Sequence, residues 1–279
     1  MKPETVCTVV FSPTGTSKKI AEAVAQGITS GAGAEALKTI DLTHAAAQSA
    51  MLPAGAVAVI AAPVYGGHVA PTAAKRLETL RGSGTPAVVI AVYGNRAFEK
   101  AAAELAALAA RQGFVPVAAA AFVGEHSYST PETPVAAGRP DAQDLARAAE
   151  FGAAVREKLA AGTTAPVDAA QLKDVSTPLV PMLRFIRFVA DYRRRQKRNP
   201  AVYLPACDAD RCTHCGRCTA VCPTQAIARG DEVHTDPARC IRCCACVKGC
   251  PVGARSFHTP FAAALARSFT RRKPPVTLL

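Results

Sequence analysis

Ten of the chain's eleven cysteines fall between Cys207 and Cys250, and eight of them repeat one spacing twice. The first run is Cys212, Cys215, Cys218, Cys222 and then Pro223; the second is Cys240, Cys243, Cys246, Cys250 and then Pro251. Both read C-x2-C-x2-C-x3-C-P, a spacing that ligates iron–sulfur clusters. A structural zinc site takes two C-x2-C pairs separated by a spacer, and neither run has that form. Three thiolates at this spacing wrap one corner of a cube, while the fourth is carried too far round the turn to reach the same cube. The expected sets are therefore crossed. One [4Fe–4S] cluster takes Cys212, Cys215, Cys218 and Cys250, and the other takes Cys240, Cys243, Cys246 and Cys222. Cys244 stands between ligands and is the spare; Cys207 reads as a small buried residue.

Residues 203–258 resemble a two-cluster bacterial ferredoxin. On that resemblance the insert between the runs, "PTQAIARGDEVHTDPARC", holds a short helix, a hairpin turn at Gly230–Asp231 and a lead-in strand.

Such a domain leaves the first 200 residues unexplained, in a chain whose 279 residues suffice for about two domains. Residues 5–12 form a β-rich apolar run, "SPTGTSKK" follows, and "IAEAVAQGI" has helical spacing. A loop at a helix N-terminus offers free N–H groups and a favourable dipole to an anion. Ser12, Thr14, Gly15, Thr16 and Ser17 thus read as a phosphate cradle. Neither the Walker pattern nor the dinucleotide fingerprint is present, so direct use of a nicotinamide cofactor is not expected. Further apolar runs stand at 35–41, 55–63, 86–93 and 114–123, with helical segments at 70–81, 96–112 and 140–161. Non-alternating strands interleaved with helices predict a parallel sheet covered on both faces. Ligands of such sheets bind beyond the carboxyl ends of the strands. There the chain places Pro63, Val64, Tyr65, Gly66 and Gly67, then Tyr93, Gly94, Asn95 and Arg96.

This half resembles flavodoxins, and the order of motifs resembles the flavodoxin–ferredoxin fusion proteins of anaerobes. The resemblance implies a five-stranded doubly wound α/β fold binding FMN, with its phosphate at 12–17 and its ring between the 64–68 and 93–98 loops. The usual T-x-T-G-N-T loop is here Ser12-Pro13-Thr14-Gly15-Thr16-Ser17, which keeps the hydroxyls. Tyr65 and Tyr93 are the candidates for stacking on the flavin. Cys7, inside the first strand, reads as core.

The expected organisation is a flavodoxin-like domain at 1–161, a linker at 162–202, a ferredoxin domain at 203–258 and a mobile basic tail at 259–279. The linker carries a basic amphipathic helix at 180–198, with Leu179, Leu183, Ile186, Val189 and Ala190 on one face and Phe185, Phe188 and Tyr192 widening it. The formal charge of +12 falls to about +6 once cluster thiolates and an FMN phosphate are counted. No apolar run of about 18 residues spans a membrane. No signal-peptide layout opens the chain, and no nucleic-acid motif accompanies the charge. The expectation is a cytoplasmic electron-transfer protein passing single electrons through two clusters to and from FMN. Its partners would be redox proteins of acidic surface, and a dimer is an open arrangement. One alternative is a reductase of a small organic substrate, with His68, Glu125 and His126 as proton donors. Another is a ferredoxin on a docking domain without flavin.

Overall fold

The computed structural model describes residues 5–30, 36–44, 50–52 and 55–279. Residue 35, the expected start of the second strand, lies outside them. The chain divides into two compact units. The first comprises the residues up to Glu125, then Gly138–Val175 and Lys273–Leu279; the second comprises His126–Ala137 and Ser176–Arg272.

In the first unit, β1 (Thr5–Val10) leads through the glycine loop into α1 (Thr16–Thr29) and β2 (Ala36–Asp41). There follow β3 (Ala50–Leu52), β4 (Ala56–Tyr65), β5 (His68–Val69), α2 (Pro71–Leu77) and β6 (Leu80–Gly82). The series ends with β7 (Thr85–Tyr93), α3 (Ala101–Arg111), β8 (Phe114–Val123) and α4 (Ala142–Ala160). The strands β2, β1, β4, β7 and β8 pair in parallel in that order. Counting only these five, the order is 2-1-3-4-5, the flavodoxin-like arrangement.

The apolar runs do not alternate because both faces of the sheet are covered. On one face Val6, Val59, Ile90 and Phe122 pack against Ile20, Val24, Phe151 and Val155 of α1 and α4. Each such side chain, fully withdrawn from water, stabilises the fold by about 1.5–3 kcal/mol. The helices α1 and α4 touch backbone to backbone. A Cβ on Gly27 would lie 2.0 Å from the Ala149 carbonyl, and one on Gly152 2.1 Å from that of Val24. Only glycine permits that approach. Asp141 caps α4 through a reciprocal capping box with Asp144.

Two helices are shorter than their periodicity predicts. The one expected at 96–112 starts at Ala101, because Asn95 and Glu99 take positive φ (63° and 45°) in the preceding loop. The one expected at 70–81 ends at Leu77, where the chain turns into β6.

In the second unit, α5 (Leu179–Arg198) is followed by β9 (Ala206–Cys207), α6 (Arg217–Ala220), α7 (Ala245–Lys248), β10 (Arg255–Ser256) and α8 (Pro260–Ser268). Strands β9 and β10 pair antiparallel, which joins the two ends of the cysteine region. The insert at 223–239 is built from turns. Ala228 bridges Asp231 around Gly230, as a hairpin turn requires, but the expected helix and strand are not formed.

The inward face of α5 is the aromatic part of the apolar face that its spacing predicts, together with Val189. Phe185 is buried, and Met182, Phe188 and Val189 pack with it against Leu265 and Phe269. Phe188 and Tyr192 meet Phe261 edge-on, with ring centroids 5.1 and 4.9 Å apart. Aromatic rings bury more area per residue and gain from such edge contacts. They therefore win the core over Leu179, Leu183 and Ile186, which stay exposed. The expected mobile tail is also ordered: it contains α8, and its last strand, β11 (Val276–Leu278), pairs antiparallel with β8.

Candidate functional site

The first run places Cys212, Cys215 and Cys218 around one pocket, and Cys250 of the second run lines the same pocket. Cys207, Arg217, Glu232 and Arg255 line it as well. Cys222 faces the other way. Burial first, opposed by the Ala245 amide and aided by the nearby Cys246, Cys222 and Cys240, pushes the Cys243 thiol up to about 12. Cys246 is pushed up to about 11, again by burial first and with Cys240 and Cys222 adding to it. The two runs thus exchange their last cysteines in space. Among the described residues, no three His, Cys, Asp or Glu side chains close on a single-ion site.

The exchange has a local cause. After each second cysteine the chain takes a left-handed residue, Gly216 (φ 70°) or Cys244 (φ 59°), and starts a one-turn helix. The fourth cysteine then follows that helix, on the side away from its own run. Backbone N–H groups are aimed at its sulfur: Ala226 donates to Cys222 at 3.2 Å, and Ala254 to Cys250 at 3.3 Å. For Cys250 burial raises the pKa, but the amides of Arg255, Val252, Ala254 and Gly253 outweigh it and the thiol titrates below its usual value. Such donors stabilise a thiolate, the form that ligates metal. Sequence reasoning missed Glu232, a buried carboxylate at the first pocket. It accepts from Gly230 and from the His214 ring, both at 3.0 Å. The Gly230 amide first, then His214, hold it down at about 2.

In the first unit, Gly15 takes φ 82° at the entry to α1, a conformation glycine adopts without strain. The Gly15 amide donates to the Ser12 carbonyl and that of Lys18 to the Ser12 hydroxyl. No acidic side chain occupies the first turn. The Ser17 hydroxyl is fully buried and has no hydrogen-bond partner among the described residues. An orphaned buried hydroxyl at the positive end of a 14-residue helix fits a bound phosphate monoester.

The expected ring-binding loops lie at the ends of β4 and β7. Val64 and Tyr65 pair with Val69 and His68 across a tight turn at Gly66–Gly67 (φ 64° and 93°). Pro63 lies in β4, and Tyr65 is half-buried. Tyr93 is only 2% exposed, and its ring packs edge-on against Phe98 at 5.5 Å. It is a core residue beneath the loop, because burial at the strand end leaves no open ring face. Burial also raises its pKa, and Asp174 adds to the shift.

Gly94, Asn95 and Arg96 follow β7 in a loop held from two distant points in the sequence. Asp174 accepts from the amides of Phe98 (2.8 Å) and Glu99 (3.0 Å). Lys273 donates to the Arg96 carbonyl at 2.6 Å. Lys273 is buried, and Arg139, itself paired with Asp144 at 2.5 Å, donates to the Lys273 carbonyl. Sequence reasoning assigned Asp174 to the linker and Lys273 to the tail, and their polar character alone gave no sign of these roles.

The suggested proton donors are engaged. The His68 ring pairs with Glu104 at 2.6 Å, the His126 ring accepts from the Tyr128 amide, and the Glu125 carboxylate accepts from the Gly138 amide. Among the described residues, no helix is long and apolar enough to cross a membrane.

Residues 204–257 match the family model of the 4Fe-4S dicluster domain. Several solved structures are similar to the chain. A flavodoxin from the domain Archaea is 16% identical with a TM-score of 0.34, over 56% of this chain and 99% of that one. An oxidoreductase from Corynebacterium diphtheriae is 17% identical (TM-score 0.35), over 57% and 99%. Rubredoxin oxygen:oxidoreductase from the anaerobe Desulfovibrio gigas is 13% identical (TM-score 0.38), over 59% of this chain and 38% of that one. No curated protein sequence matches the chain.

Proposed function

We propose that this chain, which joins a flavodoxin-like sheet to a 4Fe-4S dicluster domain, carries single electrons through two [4Fe–4S] clusters to and from an FMN. Electron transfer is the function the two parts have in common; the two-cluster count and the flavin are our reading. The observation that carries it is the exchange of Cys250 and Cys222 between the runs, since shared ligation brings two clusters into adjacent positions. Cys212, Cys215, Cys218 and Cys250 would hold one cluster, and Cys240, Cys243, Cys246 and Cys222 the other.

FMN, when bound, accepts one or two electrons and so links one-electron traffic to two-electron chemistry. Ser12, Thr14, Gly15, Thr16 and Ser17 would bind its phosphate. The loops at Pro63, Val64, Tyr65, Gly66 and Gly67 and at Tyr93, Gly94, Asn95 and Arg96 would bound its ring. In this reading Tyr93 supports its loop from below, and Tyr65 is the candidate for a ring contact. The partners are redox proteins of acidic surface, and reduced thiols suit the cytoplasm.

The test is anaerobic purification followed by iron, sulfide and flavin counts. About eight iron and one FMN per chain is expected. Rapid mixing with a one-electron donor should then show cluster bleaching followed by flavin reduction at a rate independent of protein concentration. Iron without flavin after reconstitution, or flavin reduction only between chains, overturns the proposal.

A further inference from the structure

Among the described residues, none covers the outer aliphatic stripe of α5. Its inner face, Phe185, Phe188, Val189 and Tyr192, is committed to the aromatic core of its own unit. One turn round the helix stand Leu179 (70% exposed), Leu183 (49%) and Ile186 (53%), at the i, i+4, i+7 spacing of a single stripe. Val180 beside it is 67% exposed. Four large aliphatic side chains in the first two turns of one helix form a patch of the kind that marks an interaction surface.

The charge on the same helix is one-sided. Arg184, Arg187, Arg193, Arg194, Arg195, Lys197 and Arg198 are all exposed. The one acid of the helix, Asp191, faces Arg194 at 3.6 Å, and Arg184 donates to the carbonyl of Arg267 at 3.2 Å. We propose that α5 lies flat in the headgroup layer of an anionic lipid bilayer, with the Leu179–Leu183–Ile186 stripe among the upper acyl carbons and the arginines on lipid phosphates.

Three features favour a bilayer over other occupants. The stripe is purely aliphatic, whereas protein interfaces are anchored by aromatic residues in pockets, and the aromatics of α5 all face inward. A second copy of the chain would set seven cations against seven. Nucleic acid would satisfy the arginines but leave the aliphatic stripe in water. An amphipathic helix with a Lys/Arg-rich polar side is the form that lies in a membrane interface, and its long arginine stems reach headgroups while the stripe sinks. This surface does not depend on the cofactor reading above.

The experiment is flotation of the full holo-chain with phosphatidylcholine vesicles, with and without about 30% phosphatidylglycerol, at moderate salt. We expect at least about tenfold more protein on the anionic vesicles. Two variants accompany it, a Leu183→Glu/Ile186→Glu double variant and an Arg193→Gln/Arg194→Gln/Arg195→Gln triple variant. These residues are exposed, so iron content and melting temperature should not change, and each variant should lose the binding. Failure of the wild type to float, or equal binding to both vesicle types, overturns the proposal. So does a double variant that still binds, which would reduce the effect to charge alone. Retention on a polyglutamate or polynucleotide resin without vesicle binding would assign the face to an acidic protein or to nucleic acid, and also overturns it.

Discussion

Cys244 occupies the backbone position in its run that Gly216 occupies in the other, each directly after a second cysteine and each left-handed, at φ 59° and 70°. A left-handed residue with a side chain costs about 1–2 kcal/mol, and β-branched residues cost the most. Cys244 is nonetheless 2% exposed and packs its sulfur inward, 3.7 Å from the Arg242 carbonyl. Two substitutions separate backbone from ligation. Cys244→Ala should keep the full iron content and lose little stability. Cys244→Val, though it leaves no void, should be the less stable of the two by about 1–2 kcal/mol. Half the iron missing from Cys244→Ala would show that the residue is a ligand after all.

Ser17 predicts opposite signs for the empty and the loaded chain. Its buried hydroxyl lacks a partner among the described residues, and such a group costs about 1–3 kcal/mol. Ser17→Ala removes that cost, so flavin-free protein should melt about 2–4 °C higher. The same change removes a donor from the phosphate, so FMN affinity should fall about tenfold or more. Calorimetry and flavin fluorescence titration read the two effects separately. If stability and affinity move in the same direction, the hydroxyl is an ordinary core contact.

What the sequence made legible followed local chemistry. The cysteine spacing carries its own geometry, so the exchange between Cys222 and Cys250 was readable before any fold. The apolar runs of β4, β7 and β8 could be read as buried strands because nothing polar interrupts them. Which part of the apolar face of α5 turns inward was not readable: aliphatic and aromatic residues both recur at helical spacing, and the choice between them is made by Phe261 and Phe269, far later in the chain. The supports of the 94–99 loop were hidden for a similar reason. An aspartate in a proline-flanked linker and a lysine in a basic tail are ordinary surface residues until the chain brings them back to Phe98 and Arg96.

Those supports can be tested. Asn95 and Glu99 hold positive φ without being glycine, and such conformations persist only where the surroundings enforce them. Asp174 enforces this one through two amides, and Lys273 through the Arg96 carbonyl. Asp174→Ala leaves both amides unpaired and should destabilise the chain by about 1–3 kcal/mol. It should also weaken FMN binding about tenfold, with iron content unchanged. Lys273→Met, which keeps the buried stem and removes the donor, should show the smaller effect of the two. Unchanged flavin affinity in both variants would separate this loop from the flavin site.

Cys7 gives the chain an alkaline weakness. It sits in β1 between β2 and β4, and burial pushes its thiol up to about 11, with Lys38 only partly opposing the shift. In the unfolded chain the same thiol ionises near about 8.5. Between those values the unfolded state holds fewer protons than the folded one, so stability falls as pH rises. The contribution is complete below about 8.5 and is lost as pH passes through about 11. Cys7→Ala removes this dependence while leaving a small void, so wild type should be the more stable near pH 8 by about 1 kcal/mol. The gap should close as pH rises above about 9. Melting curves of both proteins across that range decide it. Parallel curves, or alkylation of Cys7 in the folded chain as fast as in the unfolded one, would contradict the buried placement of this thiol.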